Sequence, residues 1–415
     1  MRKFLKSKEI ASMDSTLKRF ILYGMIFEIT NNFHRPFAIK FLERIGGDEW
    51  AMSLFNSLPG LITLFAVIPG AIFIRRMPSL QKVTLSLIGM GRIFLLLMAG
   101  IPFLEPNYQV GAFLLLYSLM CFPDALYQTS YQAFLGKLFP ENSRAHAISI
   151  RNKLTIPVIT IVTLLIGKVI TVIPRTNQER IMLYQIFFLV AFVFGILEIF
   201  VFRKFRAQKE VVAEQSHFLD SFRGIIKDKN FLFFTSCSLV FHFGWQMGWP
   251  LFNIYTIKTL GADEMWLAII GVSSSVTMFF AYGYWAHVIH RKGSAYVLAI
   301  NTLGMAITPI MYIFSFNLYI LTFTSFVSGI FVAGTTTVLL SGLLEVTPEK
   351  DRVTYLAVYS TLTNLSLAIA PLVGHWFLGM RGIAFALTMT AVFRVIGSLT
   401  FFYRNWYLQQ KKISH

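Results

Sequence analysis

Apolar runs of about 20 residues, each long enough to cross a lipid hydrocarbon layer as a helix, recur along this whole chain of 415 residues. Twelve can be traced. The first six cover residues 20–42, 50–74, 83–104, 110–134, 147–172 and 181–202, and the second six cover 231–251, 265–289, 295–314, 318–343, 354–378 and 383–403. Lipid cannot satisfy free backbone N–H and C=O groups, so only helices or closed-barrel strands can span it. These runs are too long for barrel strands. Hydrophobic residues make up 55% of the chain against 14% charged, and the mean hydropathy is +0.62. That balance is too apolar for a soluble protein. The sequence therefore predicts an all-α polytopic membrane protein of about twelve transmembrane helices.

The formal charge of +17 is explained by where the basic residues fall, not by nucleic-acid binding. Twenty-five of them lie in the amino tail, the even-numbered connections, the central loop and the carboxyl tail, against five in the odd-numbered connections. The five are Arg44, Arg175, Arg180, Lys258 and Arg381. The positive-inside rule then puts both termini and the central loop in the cytoplasm, with the protein multi-pass in the cell membrane. No cleavable signal is apparent, because the first run is too long and too polar at its centre. Cys121 and Cys237 fall within spans, so no disulfide framework is expected. The eight His residues show no ligand spacing, and neither a metal nor a cofactor is expected.

The chain is internally duplicated. Glu28 to Pro36 recurs 214 positions later as His242 to Pro250, with Asn32 answering Gln246 and Arg35 answering Trp249. Gly46-Gly47-Asp48-Glu49 answers Gly261-Ala262-Asp263-Glu264. Pro140-Glu141-x-x-Arg144, after the fourth span, answers Pro348-Glu349-x-x-Arg352 after the tenth. The expected organisation is a six-helix bundle over 1–202, a cytoplasmic linker over 203–230 and a second six-helix bundle over 231–415. Within the linker, Phe218, Phe222, Ile225 and Ile226 share a helical face, which predicts a short amphipathic helix lying on the membrane surface.

With twelve spans, a six-plus-six repeat, a basic central loop and the Pro-Glu-x-x-Arg turns, the chain resembles the major facilitator superfamily over nearly its whole length. The loop after span two in that family usually reads Gly-x-x-x-Asp-Arg-x-Gly-Arg-Arg. Here Gly70, Arg75 and Arg76 fit that loop, but Ile74 stands where the Asp belongs, and His287 stands there in the second copy. The resemblance thus implies a cytoplasmic gate built without that acid. Drug antiporters of the superfamily carry a Gly-rich motif with Pro in span five. This chain has Pro157 with no adjacent glycines, which argues against a proton-antiporting drug exporter. Arg151-Asn152, at the start of the same span, resembles a pair seen in many members and carries no substrate information.

Ionisable residues inside spans cost roughly 2.5–3.5 kcal/mol each even on the mildest insertion scale, and so mark candidate sites. At 1.5 Å per residue from Lys18-Arg19, Glu28 lies about 13–15 Å deep, near the midplane. Asn31, Asn32 and Arg35 follow at i+3, i+4 and i+7, predicting one polar face. An internal Glu28–Arg35 pair that only locks packing is the plainer alternative. In span seven, His242, Trp245, Gln246, Trp249 and Asn253 fall on one face, a stacking and hydrogen-bonding wall for an organic solute or else core packing. In span four, Asp124, Tyr127, Gln128 and Tyr131 share a face, and Arg92 in span three is placed to pair with Asp124. The candidate substrate-binding residues are Glu28, Asn31, Asn32, Arg35, Asp124, Gln128, His242, Trp245, Gln246 and Trp249.

A duplicated apolar half with polar residues buried in corresponding helices points to a secondary transporter. Spans one and seven are expected to face each other across a central cavity, because their polar faces must avoid lipid. The expected partners are a small organic solute, a proton or monovalent cation and the bilayer, with a monomer as the working form. No phosphate-binding loop is present, so nucleotide hydrolysis is not implied. A polytopic enzyme would need a compact nucleophile–base or metal constellation, and none is seen. A lipid or lysolipid flippase on the same fold is the alternative, with a proton-antiporting drug exporter behind it.

Overall fold

A computed structural model of the chain describes residues 15–76, 79–139, 141–205, 224–348 and 352–413. Most of the amphipathic stretch 217–226 lies outside these residues. So do Pro140 and the residues Glu349 to Asp351 of the repeated turn. Every regular element among the described residues is helical. The long helices are α1 (Ser15–Asn32), α3 (Glu49–Arg76), α4 (Leu80–Ala99), α5 (Pro106–Leu138), α6 (Glu141–Val172) and α7 (Asn177–Arg203), with the short α2 (Ala38–Arg44) continuing the first span. After the linker come α8 (Lys229–Ile254), α9 (Glu264–Lys292), α10 (Ser294–Ile313), α11 (Leu318–Val346) and α12 (Arg352–Ile413).

The last element holds both remaining spans. They meet at Arg381 and Gly382, where the backbone leaves helical geometry and Gly382 takes φ +79°. Among the described residues eight helices are long and apolar enough to cross a membrane, α12 counted once. α1, α3 and α8 are not among them: the 18 residues of α1 carry Lys18, Arg19 and Glu28, and α8 holds His242 and Gln246 near its middle.

Two compact units emerge, one within Met1–Phe41 and Gly70–Val212, the other within Leu42–Pro69 and Ala213–His415. In the first, α1 rests on α6 and α7, and α4 rests on α5 and α7. In the second, α8 packs on α12, α9 on α11, and α10 on both α11 and α12. Residues 42–69 group with this second unit for visible reasons. Arg44 grips the sealed Glu264 through two hydrogen bonds of 3.1 Å. Gly60 lies so close to α12 that an added Cβ would sit 2.7 Å from the Ala368 nitrogen, and the Ser57 hydroxyl donates to the Ala368 carbonyl.

The duplicated turn is present twice as structure. Gly46 takes φ +100° and Asp48 then accepts from the Ala51 amide at 2.7 Å, while Gly261 takes φ +67° and Asp263 accepts from Trp266 at 2.9 Å. A glycine that turns the chain and an aspartate that caps the next helix explain why this short match survives in both copies. The two copies of the preceding segment differ more. Pro36 sits in a 3₁₀ turn, Arg35–Phe37, after α1 has ended. Pro250 is carried inside α8, which then widens into a π-turn at Tyr255–Thr259.

The core of the second unit contains a cation. Arg394 on α12 is 1% exposed, and among the described residues no carboxylate pairs with it. It donates instead to the carbonyls of Met305 at 2.8 Å, Trp245 at 3.1 Å and Gly244 at 3.2 Å. Its guanidinium lies 5.1 Å from the Phe252 ring centroid. The Met305 carbonyl is the informative partner. Pro309, four residues on, has no N–H to give it, so Arg394 replaces a missing helix bond.

Arg394→Met is therefore expected to destabilise the protein by about 1–3 kcal/mol, the cost of an orphaned buried carbonyl. Adding Pro309→Ala, which returns an amide to Met305, should recover part of the loss. Melting temperatures of the purified variants test this, and no recovery in the double variant would refute the assignment.

Candidate functional site

The polar side chains of the first unit form two layers, and the local chemistry of α1 decides which residue meets which. Near its end, Thr30, Asn31 and Asn32 turn their side chains back onto the carbonyls of Ile26, Phe27 and Glu28 at 2.9–3.0 Å. His34 lies 3.0 Å from the Thr30 carbonyl. Such back-bonding competes with the helix, and Pro36 removes the next donor, so α1 stops at Asn32.

The predicted single face therefore divides. Asn31 is buried, while Glu28 and Asn32 are half-buried and Arg35 is exposed. Glu28 and Arg35 do not pair with each other. Arg35 sits beyond the break and reaches Asp124 on α5 at 2.6 Å. Glu28 accepts from Arg151 on α6 at 3.2 Å. Gly24 makes that possible, because a side chain there would collide with the arginine. Asn32 accepts from Thr163 of α6 at 2.6 Å.

The face predicted on α5 also divides. Asp124 is half-buried and Gln128 exposed. Tyr127 and Tyr131 turn inward, stacked on each other with ring centroids 5.3 Å apart. The accessible layer is thus Glu28, Asn32, Arg35, Asp124, Gln128 and Arg151, drawn from α1, the turn after it, α5 and α6, with the buried Thr163 behind Asn32.

Beneath it lies a sealed layer. Arg92 of α4 does not pair with Asp124 as its depth suggested. It donates twice to Glu198 of α7, at 2.8 and 3.1 Å, and the carboxylate is completely buried. The Tyr23 hydroxyl donates to Glu198 at 3.2 Å and meets the Tyr127 hydroxyl at 2.5 Å. The cause is again a glycine one turn away. At Gly195 a Cβ would lie 2.6 Å from the Arg92 side chain, so the missing side chain leaves room for the arginine stem to lie along α7. Proximity to Asp124 was readable from depth, but the slot in α7 was not.

In the second unit α8 carries its polar residues mostly inward. His242 Nδ1 lies 2.8 Å from the Ser238 carbonyl, and the Ser238 hydroxyl meets Tyr359 at 2.6 Å. A carbonyl only accepts, so Nδ1 carries the hydrogen and the lone pair of a neutral ring is at Nε2. Gln246 is buried and donates to the Thr363 carbonyl at 3.2 Å, and its own oxygen has no protein partner among the described residues. Trp245 and Trp249 are half-buried and meet edge to face at 6.1 Å. Trp245 packs against the apolar core, and its carbonyl is one of those held by Arg394. Asn253 is half-buried.

Four functional candidates escaped the sequence reading. Glu198 and Arg394 are lone ionisable residues inside apolar runs, the signal that singled out Glu28, and it was present in spans six and twelve. Arg151 was read only as part of a family pair. Tyr23 gave no sequence signal, because its role depends on Glu198.

Residues 234–411 match the family model of the Major Facilitator Superfamily. No curated protein matches the chain. Among solved structures, a mutant of the nucleoside transporter NupG superposes with a TM-score of 0.70 at 13% identity, over 94% of this chain and 99% of that one. A POT family transporter in complex with 5-aminolevulinic acid gives 0.70 at 11% identity, over 92% of this chain and 94% of that one. A bacterial homolog of the human lysosomal transporter Spinster, inward-facing and unoccupied, gives 0.68 at 12% identity, over 94% and 96%. At such identities the likeness is one of fold.

Proposed function

We propose that this chain, whose residues 234–411 match the Major Facilitator Superfamily model and whose fold is that of the solved transporters, is a secondary active transporter that moves a small organic solute by alternating access. In this reading the polar layer on α1, α5 and α6 is the solute site, opened to each side of the membrane in turn. A proton or ion gradient drives the cycle. The protein works as a monomer in the cell membrane, with the termini and the linker 203–230 in the cytoplasm.

One observation carries the reading. The pairs Glu28–Arg151 and Arg35–Asp124 are partly exposed in membrane-spanning helices, with Arg35 at 44% and Glu28 at 30%. Charged groups left accessible at that depth border water, because lipid would exact several kcal/mol from each.

The charge balance narrows the solute. Two acids stand beside two arginines, so a simple cation gains no net attraction. A zwitterion can exchange its carboxylate and ammonium with both pairs, which favours amino-acid-like solutes over purely cationic ones. The amino acid bound to the POT family relative is compatible with this chemistry.

Proteoliposomes with an imposed pH gradient, screened with zwitterionic, cationic and neutral solutes, test the proposal. Gradient-dependent accumulation of a zwitterion is expected. Movement of labelled phospholipid with no solute uptake would favour a flippase instead. For topology, a cysteine replacing Ser216 in the linker should stay unlabelled by an impermeant maleimide added to intact cells. One replacing the exposed Asn107 should react. Efficient labelling at 216 would overturn the orientation.

A further inference from the structure

A cavity of about 550 Å³ opens at the end of the first unit, between the start of α1 and the end of α7. Its lining is Ser15, Thr16, Arg19, Arg203, Lys204 and Phe205. Residues separated by some 185 positions thus enclose it, tied together by a 3.2 Å hydrogen bond from Arg19 to the Lys204 carbonyl. We propose that this cavity is a binding site for a phosphate oxyanion, as carried by the headgroup of an anionic phospholipid or by a free phosphate-bearing solute.

A basic residue at a membrane boundary needs no ligand to explain it, since positive charge gathers there anyway. Three features here go further. The first is the absence of internal neutralisation. Among the described residues no carboxylate forms an ion pair with Arg19, Arg203 or Lys204, so three positive charges share one cavity. The second is that the usual use for cations at a helix end is already filled. Basic side chains at a C-terminus turn back onto the last carbonyls. The carbonyls of Phe202 and Arg203 at the end of α7, and of Lys204 and Phe205 just beyond it, already have donors: the Gln81 amide of α4 is shared among Phe202, Arg203 and Phe205 at 3.3, 3.2 and 2.8 Å, and Arg19 donates to Lys204. The arginine and lysine side chains are left to face elsewhere.

The third feature is the hydroxyl pair on α1: Ser15 and Thr16 line the cavity beside the cations, where their O–H groups can donate to phosphate oxygens. Basic pockets between membrane helices hold anionic headgroups by this combination, and arginine forks suit phosphate oxygens best. Phe205, buried at the wall, gives a headgroup an apolar shoulder where its glycerol would leave the site.

The test uses the full chain, equilibrated with mixed vesicles of phosphatidylglycerol and phosphatidylcholine, and native mass spectrometry of the retained lipid. Wild type should hold phosphatidylglycerol over phosphatidylcholine by at least about tenfold. The Arg19→Gln/Arg203→Gln/Lys204→Gln variant should lose that preference. A control with equal charge loss, Lys229→Gln/Arg291→Gln/Lys292→Gln, should keep it. If the triple variant does not fold, Arg203→Gln/Lys204→Gln leaves the Arg19 bond intact and should lose most of the preference. Competition by inorganic phosphate separates the two sources. Displacement of lipid, with phosphate protecting the protein thermally in detergent, assigns the site to a soluble phosphate. Failure of phosphate to compete assigns it to the lipid. An unchanged lipid ratio in the site variant, or an equal loss in the control, overturns the site.

Discussion

Glu198→Gln is expected to cost the protein about 3–5 kcal/mol of stability, the range for breaking a buried ion pair by removing one partner. The carboxylate is sealed and accepts three hydrogen bonds, two from Arg92 and one from Tyr23. Glutamine keeps the shape but removes the charge. Arg92, itself 4% exposed, is then left as an uncompensated cation in the interior. One amide hydrogen of the new side chain also points at a guanidinium, which cannot accept it.

The effect should be asymmetric in a way that identifies its cause. Replacing both partners, Arg92→Met with Glu198→Met, removes two desolvation penalties along with the attraction. It is expected to recover most of the loss, with Tyr23 still bonded to Tyr127. Melting temperatures of the wild type, the two single variants and the double variant form the required cycle. A double variant less stable than either single one would show that this pair contributes more than its burial costs. An unaltered Glu198→Gln protein would mean that the carboxylate is already neutral.

The fold was readable to the degree that it follows from lipid. Twelve apolar runs of the right length leave the backbone no choice but helices, and the structure has them, with the last two joined through Gly382. The duplicated turn was also readable, because a left-handed glycine and a capping aspartate are local requirements. The partners of the buried charges were not. Helical spacing put Glu28 and Arg35 on one face, but three back-bonding side chains and Pro36 ended the helix between them. Depth alone paired Arg92 with Asp124, whereas the choice of Glu198 was made by the space above Gly195. The same device seats Arg151 over Gly24, and Gly248 stands 2.9 Å from the Arg394 guanidinium by the same measure. A glycine three or four residues from an acid in a membrane helix is thus a sequence cue for an arginine crossing from a neighbouring helix. A proline four residues after a core carbonyl, as Pro309 follows Met305, marks where a buried donor is wanted.

Glu28→Gln is expected to lower gradient-driven uptake by at least about 100-fold while leaving insertion and folding intact, the upper range for losing one charged hydrogen-bonding partner. Folding should survive because the group is 30% exposed and its partner Arg151 is not sealed either, so water can replace what the substitution removes. Transport should not survive, because Glu28 is the acid that sits on α1 between the accessible pairs and can be exchanged between Arg151 and an incoming ammonium or proton. Counterflow, the exchange of labelled for unlabelled solute without a gradient, separates the two roles. If Glu28 carries the coupling ion, counterflow persists in Glu28→Gln and only accumulation is lost. If Glu28 contacts the solute, both are lost together. Asp124→Asn supplies the comparison, since its carboxylate meets Arg35 in the same accessible layer. Loss of counterflow in Asp124→Asn with its retention in Glu28→Gln would assign solute binding to the α5 pair and coupling to the α1 pair. Normal driven uptake by Glu28→Gln would reduce the Glu28–Arg151 contact to packing, and the accessible layer would have to work through Asp124 alone.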